Sequence, residues 1–231
     1  MDLKLTKKIA LVTGSTAGIG NAIAASLARE GATVIVSGRT PAAVEAAVAS
    51  MKSETGGDVV GFAGDLAAAS VAESLIRRHP AVDILVNNLG IFEVRQFEEI
   101  SDADWRRFFD VNVLSGARLA RLYLPSMRQR NWGRIIFISS DSALQIPVEM
   151  IHYGVTKTAQ IGLARGLAEA VAGTGITVNS VLPGPTKSRG VVDFVGELTQ
   201  AAAKALRILR QSSSRKFAPP RSSSASPHLR R

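Results

Sequence analysis

The chain has 231 residues, of which 46% are hydrophobic, and this suits one α/β domain with a substantial core. It has no cysteine, which excludes disulfides and cysteine-ligated zinc, and its three histidines are scattered, so we expect no metal site. No apolar run approaches the ~20 residues of a membrane-spanning helix. Residues 1–8 lack the apolar segment of a signal peptide, so we expect a cytoplasmic protein without membrane contact.

The net charge of +9 is concentrated at the C-terminal end of the sequence. Eight of the 28 basic residues and none of the 19 acidic residues lie in 204–231, so residues 1–203 carry 20 basic against 19 acidic side chains. We therefore predict a single domain at 1–203 and a basic Ser/Pro/Arg-rich tail at 204–231, disordered beyond about residue 211. A solvated tail is favoured over a nucleic-acid-binding one, because the domain itself is electrically balanced.

The first strand is predicted at 8–13 and runs into a glycine-rich turn, followed by a helix whose apolar residues repeat at helical spacing. When a strand leads through a glycine-rich turn into a helix, the first turn of that helix presents its backbone N–H groups and its dipole to a phosphate. Gly14 permits the turn, Gly18 lets a pyrophosphate approach the backbone, and Gly20 lets the helix pack on the strand. A plain turn is the weaker alternative to a dinucleotide site made by Gly14, Ser15, Thr16, Gly18, Ile19 and Gly20.

Arg39 follows the second predicted strand, 32–37, where an NAD-selective site has a carboxylate for the ribose 2′-hydroxyl. No carboxylate is present there, and the guanidinium group is a planar, permanently charged fork that suits a 2′-phosphate. A solvated surface arginine is the alternative, but the missing acid favours NADP(H) as the cofactor.

Asp65 and Leu66 follow the third strand, and we place both at the cofactor site. The Asp65 carboxylate suits either the adenine amino group or the cap of the next helix, and the sequence leaves these two roles equal. The elements predicted in this part of the chain are helices at 41–52 and 67–78 and strands at 58–62 and 82–86.

A long helix is predicted to begin at the capping box Ser101–Asp104 and to run to about residue 129, with Pro125 kinking its last turns. Asn112 lies inside this helix. Since helix propensity does not favour asparagine, a buried amide at this position needs a purpose.

The fifth strand, 133–139, ends beside Ser140, and the helix predicted at 153–172 carries Tyr153 and Lys157 one turn apart on one face. An ammonium beside a phenol favours the phenolate and is expected to lower the tyrosine pKa from ~10. Such a phenol can exchange a proton with a carbonyl oxygen, and the Ser140 hydroxyl can hydrogen-bond the same oxygen. Taken alone, a Tyr-x-x-x-Lys pair is more often two solvated helix residues.

Strands and helices alternate as far as a sixth strand at 176–182, which runs into Pro183-Gly184-Pro185-Thr186. The alternation predicts an α/β fold: a Rossmann-like, doubly wound parallel sheet in a three-layer αβα arrangement, with strand order 3-2-1-4-5-6. Ligands of such sheets bind at the carboxyl ends of the strands, where all of these candidate residues lie.

The chain closely resembles the short-chain dehydrogenase/reductase family over roughly residues 5–195. Ser140 stands thirteen residues before Tyr153, which is the family's usual gap. The segments that carry the resemblance are Thr13-Gly14-x-x-x-Gly18-Ile19-Gly20, Asp65, Asn87-Asn88-x-Gly90, Asn112, Ser140, Tyr153-x-x-x-Lys157, and Asn179 followed by Pro183-Gly184.

The resemblance implies that Tyr153 is the acid/base and that Ser140 polarises the substrate carbonyl. Lys157 would hold the nicotinamide ribose and lower the tyrosine pKa, and Asn112 would support a water that links Lys157 to the bulk proton supply. Helices 104–129 and 153–172 pair subunits in the family and are intact here, so the sequence allows a homo-oligomer and leaves the oligomeric state open. The remaining implied cofactor contacts are Asp65 with adenine, Asn88 and Gly90 with the adenosine ribose, Ser188 with the nicotinamide carboxamide, and Pro183, Gly184 and Thr186 beside it.

The sequence departs from the family at Leu89, where alanine is more common, and at Thr186, where an aliphatic residue is usual. After about Val195 the match fails, and an Ala-rich helical stretch at 197–210 and the basic tail follow. A seventh strand is therefore expected to be missing, through a changed reading frame or an atypical terminus. That would leave the sixth strand at the edge of the sheet and predicts lowered stability and weak turnover.

The leading hypothesis is an NADP(H)-dependent oxidoreductase that interconverts a carbonyl and an alcohol by hydride transfer. The alternative is a related protein that binds NADP(H) but turns over poorly or not at all. The substrate is expected to be small and apolar because the segments that shape its pocket contain Phe92, Phe97, Leu144, Ile146, Met150 and Phe194.

Overall fold

Six short apolar strands pair in parallel in the computed structural model, which describes residues 3–186. Their order in the sheet is β3-β2-β1-β4-β5-β6, so the predicted fold class and strand order are confirmed. The order reverses between β1 and β4, which opens a crevice at their carboxyl ends. The strands are β1 Ile9–Val12, β2 Thr33–Gly38, β3 Val59–Ala63, β4 Ile84–Asn87, β5 Gly133–Ile138 and β6 Ile176–Val181.

Helices connect successive strands, with three short 3-10 turns at Phe97–Glu99, Asp141–Ala143 and Val148–Met150. The predicted helix 197–210, the start of the tail, the domain boundary near 203 and Ser188 lie outside the described residues, as does any seventh strand. The helices are α1 Gly18–Arg29, α2 Pro41–Thr55, α3 Ala69–Arg78, α4 Asp102–Phe109, α5 Ser115–Arg130 and α6 Ile151–Ala170.

Alternating strand residues build one core on each face of the sheet. In β1, Leu11 belongs to the face covered by α3, α5 and α6, whereas Ala10 and Val12 belong to the face covered by α1 and α2. Successive side chains of a strand point to opposite faces, so a fully apolar strand is buried on both sides. This explains why the strands read as continuous apolar runs.

The long helix predicted from the Ser101–Asp104 box to about residue 129 is present over residues 102–130, but it is not a regular α-helix throughout. The capping box of Ser101 and Asp104 is present at the start of α4, but a π-helical turn, Asp110–Leu114, separates α4 from α5. Single π turns inside helices are often found at functional sites, and this one contains Asn112. Helix α5 contains Pro125 and continues to Arg130.

Helix α6 begins at Ile151, two residues earlier than predicted, because the 3-10 turn before it leads directly into its first turn. Tyr153 and Lys157 therefore lie within the first two turns of an established helix. No helix in residues 3–186 is both long and apolar enough to cross a membrane.

Two helical glycines allow a matched test of the packing. A Cβ at Gly116 in α5 would lie 2.9 Å from Cε1 of the buried Phe137 ring, whereas a Cβ at the exposed Gly166 in α6 would meet nothing within 4 Å. We expect Gly116→Ala to lower the free energy of unfolding by about 1–3 kcal/mol through overpacking. Gly166→Ala should raise it by roughly 0.5–1 kcal/mol through helix propensity.

Urea unfolding monitored by circular dichroism measures both effects. Equal stabilisation by the two alanines would contradict the described contact between α5 and β5.

Candidate active site

The segments that follow β1 to β6 gather at the carboxyl edge of the sheet, as expected for parallel strands. The glycine turn after β1 is held there by hydrogen bonds to the segment after β4. The Asn88 amide nitrogen Nδ2 donates to the carbonyls of Thr13 (2.9 Å) and Gly14 (3.0 Å). In return, the Thr13 hydroxyl accepts the backbone N–H groups of Asn88 and Leu89, both at 2.9 Å. The two loops therefore form one rigid unit.

The glycine turn has the geometry that its sequence predicts. Gly14 and Gly18 have φ values of 62° and 61°, a region that favours glycine. At Gly20 a Cβ would lie 2.4 Å from Nδ2 of Asn88 and 2.6 Å from the Gly14 carbonyl oxygen, so only glycine fits. Because helix α1 is preceded by Ala17, no side chain caps its first N–H groups, which suits an anionic pyrophosphate. A dinucleotide therefore fits this loop.

A small cavity of about 100 Å³ extends from the glycine turn across the ends of β2 and β3. Arg39 lies at its exposed side, as a 2′-phosphate contact requires. The Asp65 carboxylate also lines the cavity and accepts the Ala67 N–H at 3.0 Å. Asp65 does not cap α3, which begins at Ala69. The lining residues are Gly14, Thr16, Ser37, Gly38, Arg39, Gly64, Asp65, Leu66 and Leu89.

Tyr153 and Ser140, predicted from sequence to share a substrate oxygen, lie close enough for the Ser140 hydroxyl to lower the pKa of the Tyr153 phenol. The Ser140 hydroxyl also donates to Oδ1 of Asp141 at 3.0 Å and accepts the N–H of Ser142 at 3.1 Å. Ser140 is buried at the start of the 3-10 turn after β5, so its position is fixed by both neighbours. The Tyr153 phenol, the Ser140 hydroxyl and the Asp141 carboxylate therefore lie side by side at the carboxyl edge of the sheet.

The expected lowering of the tyrosine pKa is wrong, because the pKa of Tyr153 is raised. Burial raises the pKa of Tyr153, the Ser140 hydroxyl offsets this in part, and the Asp141 charge raises it further. The Lys157 ammonium lies 5.6 Å from the Tyr153 ring centroid but donates to the Ile138 carbonyl at 2.9 Å. Since the ammonium bonds to the strand end, desolvation dominates the pKa of the phenol.

Lys157 itself is buried, and its hydrogen bonds are made to neutral dipoles. Its Nζ atom donates to Ile138 and, at 3.3 Å, to Oε1 of Gln160. Burial lowers its pKa from 10.5 to about 8. Gly90 lies close by, because a Cβ on it would be 3.5 Å from both Nζ of Lys157 and Oδ1 of Asn112.

The side-chain amide of Asn112 is buried, and its hydrogen bonds connect the π turn to the loop after β4 and to α6. Its Oδ1 accepts the Ile91 N–H at 2.8 Å, and its Nδ2 donates at 3.0 Å to both the Ile91 carbonyl and the Thr156 hydroxyl. Its own carbonyl accepts Nε2 of Gln160 at 2.5 Å. The water link from Asn112 to Lys157 stays a prediction, and the structure places Gln160 between the two residues.

The segment after β6 runs beside this cluster. The Asp141 N–H donates to the Pro183 carbonyl at 3.1 Å, and the exposed Thr186 hydroxyl donates to the Gly184 carbonyl at 2.9 Å. Pro183 and Thr186 also border an apolar groove of about 560 Å³ along α1, next to Gly18. The described part of the chain thus brings together every predicted site residue except Ser188, which lies beyond it.

Sequence reasoning missed three residues of this edge. Asp141 follows Ser140 directly, and Gln160 and Thr156 lie on the Lys157 face of α6 at helical spacing. Polar residues on an otherwise apolar helix face were the signal that marked Gln160 and Thr156. Within residues 3–186 no group of three His, Cys, Asp or Glu side chains has the arrangement of a metal site.

Comparison with known proteins agrees with this geometry. The family model described as short chain dehydrogenase matches residues 8–196. The uncharacterized oxidoreductase YvaG of Bacillus subtilis is 47% identical over 199 residues, which cover 86% of this chain and 75% of YvaG. D-beta-hydroxybutyrate dehydrogenase of Cupriavidus necator is 38% identical over 78% of this chain and 71% of its own length.

A solved structure shows the same architecture. L-sorbose reductase from Gluconobacter frateurii, complexed with NADPH and L-sorbose, superposes with a TM-score of 0.81 at 33% identity. The match covers 95% of this chain and 85% of that one. With the family model spanning most of its length, this chain belongs to the short-chain dehydrogenase/reductase family.

Proposed function

We propose that this protein is an NADP(H)-dependent oxidoreductase that interconverts a carbonyl and an alcohol on a small apolar substrate, with Tyr153 as the acid/base. The observation that carries the proposal is the grouping of three side chains at the carboxyl edge of the sheet. The Ser140 hydroxyl lies close enough to Tyr153 to lower the pKa of its phenol, and the Lys157 ammonium lies 5.6 Å from the centroid of the Tyr153 ring. Family membership supports the reaction class, and Arg39 at the cofactor cavity supports the phosphorylated cofactor.

A nicotinamide cofactor held by the glycine turn, Asn88 and Lys157 would supply hydride to a carbonyl carbon, or accept hydride from an alcohol. The protein's own groups handle the proton. The Tyr153 phenol gives its proton to the oxygen in reduction and takes it back in oxidation. Ser140 donates to the same oxygen when its hydroxyl turns from Asp141 toward the substrate. Lys157 places a positive charge 5.6 Å from the centroid of the Tyr153 ring and would hold the nicotinamide ribose of the cofactor.

Exposed apolar side chains support an apolar substrate. Leu144 and Val148, in the segment before α6, are 74% and 78% exposed, and Phe92 and Phe97, in the segment after β4, are 43% and 54% exposed. The Phe92 ring stands edge-on to Tyr153 at a centroid distance of 6.4 Å. The two segments are joined by the Arg95 N–H, which donates to the Glu149 carbonyl at 2.9 Å. An apolar substrate would cover these side chains.

A homo-oligomer through α4, α5 and α6 is part of the proposal. Leu114, at the junction of α4 and α5, is 45% exposed, which suits burial against a second copy. Light scattering of the purified protein measures the mass, and a monomer would contradict this part of the proposal.

The decisive experiment is a fluorescence titration with NADPH, followed by a panel of apolar ketones, aldehydes and alcohols. NADPH binding together with its oxidation by a carbonyl supports the oxidoreductase. Binding without consumption across the panel supports the alternative, a protein that binds NADP(H) with impaired or no turnover.

Tyr153→Phe should lower kcat by about 10²–10⁴-fold, because it removes the proton donor and leaves the ring. NADPH affinity should change less than about threefold, as measured by the same titration. Tyr123→Phe is the matched control, since the Tyr123 hydroxyl is buried in the core and has no hydrogen-bond partner within residues 3–186. Tyr153→Phe that keeps wild-type kcat would end the assignment of Tyr153 as the acid/base.

Arg39→Ala should raise the KM for NADPH by about 10–100-fold, since a charge-assisted hydrogen bond contributes ~1.5–3 kcal/mol. The KM for NADH should stay within about threefold, because NADH has no 2′-phosphate. The exposed Arg77 on α3 provides the control Arg77→Ala. If Arg39→Ala weakened both cofactors equally, the selectivity role would be refuted.

The pH dependence of the two directions follows from the raised pKa of Tyr153. Reduction uses the protonated phenol and should stay level through neutral pH, whereas oxidation uses the phenolate and should rise with pH beyond 10. Because the negative charge of Asp141 opposes ionisation of the phenol, Asp141→Asn should move the oxidation profile to lower pH. Initial rates between pH 6 and 11 measure this shift.

The control is Asp102→Asn, which removes a carboxylate that is 90% exposed on α4. An oxidation profile that moves to higher pH in Asp141→Asn would overturn the electrostatic role of Asp141.

A further inference from the structure

The amide of Gln160 occupies a position between Lys157 and the π turn. Its Oε1 accepts a hydrogen bond from Nζ of Lys157 at 3.3 Å, and its Nε2 donates to the Asn112 carbonyl at 2.5 Å. Gln160 is 1% exposed, so neither bond competes with bulk water. Buried amides are retained when both ends are satisfied, and here each end faces a different part of the site.

The Lys157 ammonium is surrounded by few groups that can accept its hydrogen bonds, so its contact with Oε1 of Gln160 affects its position and its protonation. The groups that face it are the Ile138 carbonyl of β5, the Gln160 amide of α6, the backbone of Gly90 after β4 and, at 5.6 Å, the ring of Tyr153. Tyr153 is the titratable side chain among them, and the others are neutral. A buried ammonium surrounded by neutral groups depends on hydrogen-bond acceptors to hold both its position and its proton.

We propose that Gln160 is a positioning residue that fixes the Lys157 ammonium against the π turn Asp110–Leu114 and sets its protonation. The proposal rests on the proposed function for the catalytic meaning of Lys157, but the contact itself acts without turnover. An amide is suited to this position because it accepts from an ammonium at one end and donates to a carbonyl at the other. Leucine can do neither, and an ionised glutamate can only accept.

A space-filling role for Gln160 makes a different prediction from a positioning role. If Gln160 only filled space, Gln160→Leu and Gln160→Glu would alter stability and leave the titration of Lys157 unchanged. If it sets the protonation of Lys157, the two variants should shift that titration in opposite directions. Leucine removes an acceptor from the charged form, whereas an ionised carboxylate attracts it.

The test is an NMR titration of protein labelled with ¹³C at the lysine ε carbon, with the Lys157 signal assigned by its loss in Lys157→Met. We expect a midpoint near pH 8 for the wild type, a midpoint at least half a unit lower for Gln160→Leu, and one at least half a unit higher for Gln160→Glu. Gln160→Met repeats the loss of the amide with a more flexible side chain, in case the leucine variant does not fold. Gln129→Leu, at an exposed position of α5, is the control and should leave the midpoint unchanged.

Equal midpoints in the wild type and the Gln160 variants, or shifts in one common direction, would overturn the proposal. The outcome is independent of turnover, because the titration needs neither cofactor nor substrate. A wild type without carbonyl reductase activity, but with diverging midpoints, would remove the proposed function and leave the role of Gln160 in place.

Discussion

A single buried amide, that of Asn112, joins three segments around Tyr153 and Lys157. Its side chain binds both backbone groups of Ile91 and the hydroxyl of Thr156, and that hydroxyl donates to the Tyr153 carbonyl at 2.7 Å. The loop after β4, the π turn and the first turns of α6 are thereby fixed relative to one another. Helix α6 is also held to the end of β5, because the Ser139 hydroxyl donates to the Lys157 carbonyl at 2.8 Å and Nζ of Lys157 donates to the Ile138 carbonyl. The Asn112 bonds add the connection from α6 to the loop after β4.

The fold could be predicted from the sequence because the patterns that indicate it, apolar strands and the glycine turn, each involve only neighbouring residues. Continuous apolar strands such as β1 and β4 require two covered faces, and alternating helices provide them. Glycine at position 14, 18 or 20 is required by backbone geometry, so its role follows from its place between a strand and a helix. Each such prediction depends on a few neighbouring residues.

The parts that were missed depend on contacts between distant segments. The π turn results from the packing of Asn112 against Ile91 and Thr156, and no helical periodicity within 104–129 shows it. The direction of the tyrosine pKa was predicted from a four-residue spacing, which places Lys157 on the correct face but does not say where its ammonium points. Only the tertiary structure shows that it points to Ile138.

Burial shifts Tyr153 and Lys157 toward their neutral forms, and for Lys157 this lowers the stability of the folded state near neutral pH. For Lys157 the unfolded chain keeps the ordinary pKa of 10.5 and the folded chain has about 8, so the unfolded state binds more protons between these values. The free energy of unfolding therefore gains from this group as pH rises from 8 to 10.5, and below pH 8 the folded protein carries the full desolvation cost, roughly 3 kcal/mol. A methylene chain ending in a neutral group would avoid that cost. Stability therefore does not account for a buried ammonium beside the Tyr153 ring, whereas the proton-transfer role that we propose for this edge of the sheet would account for it.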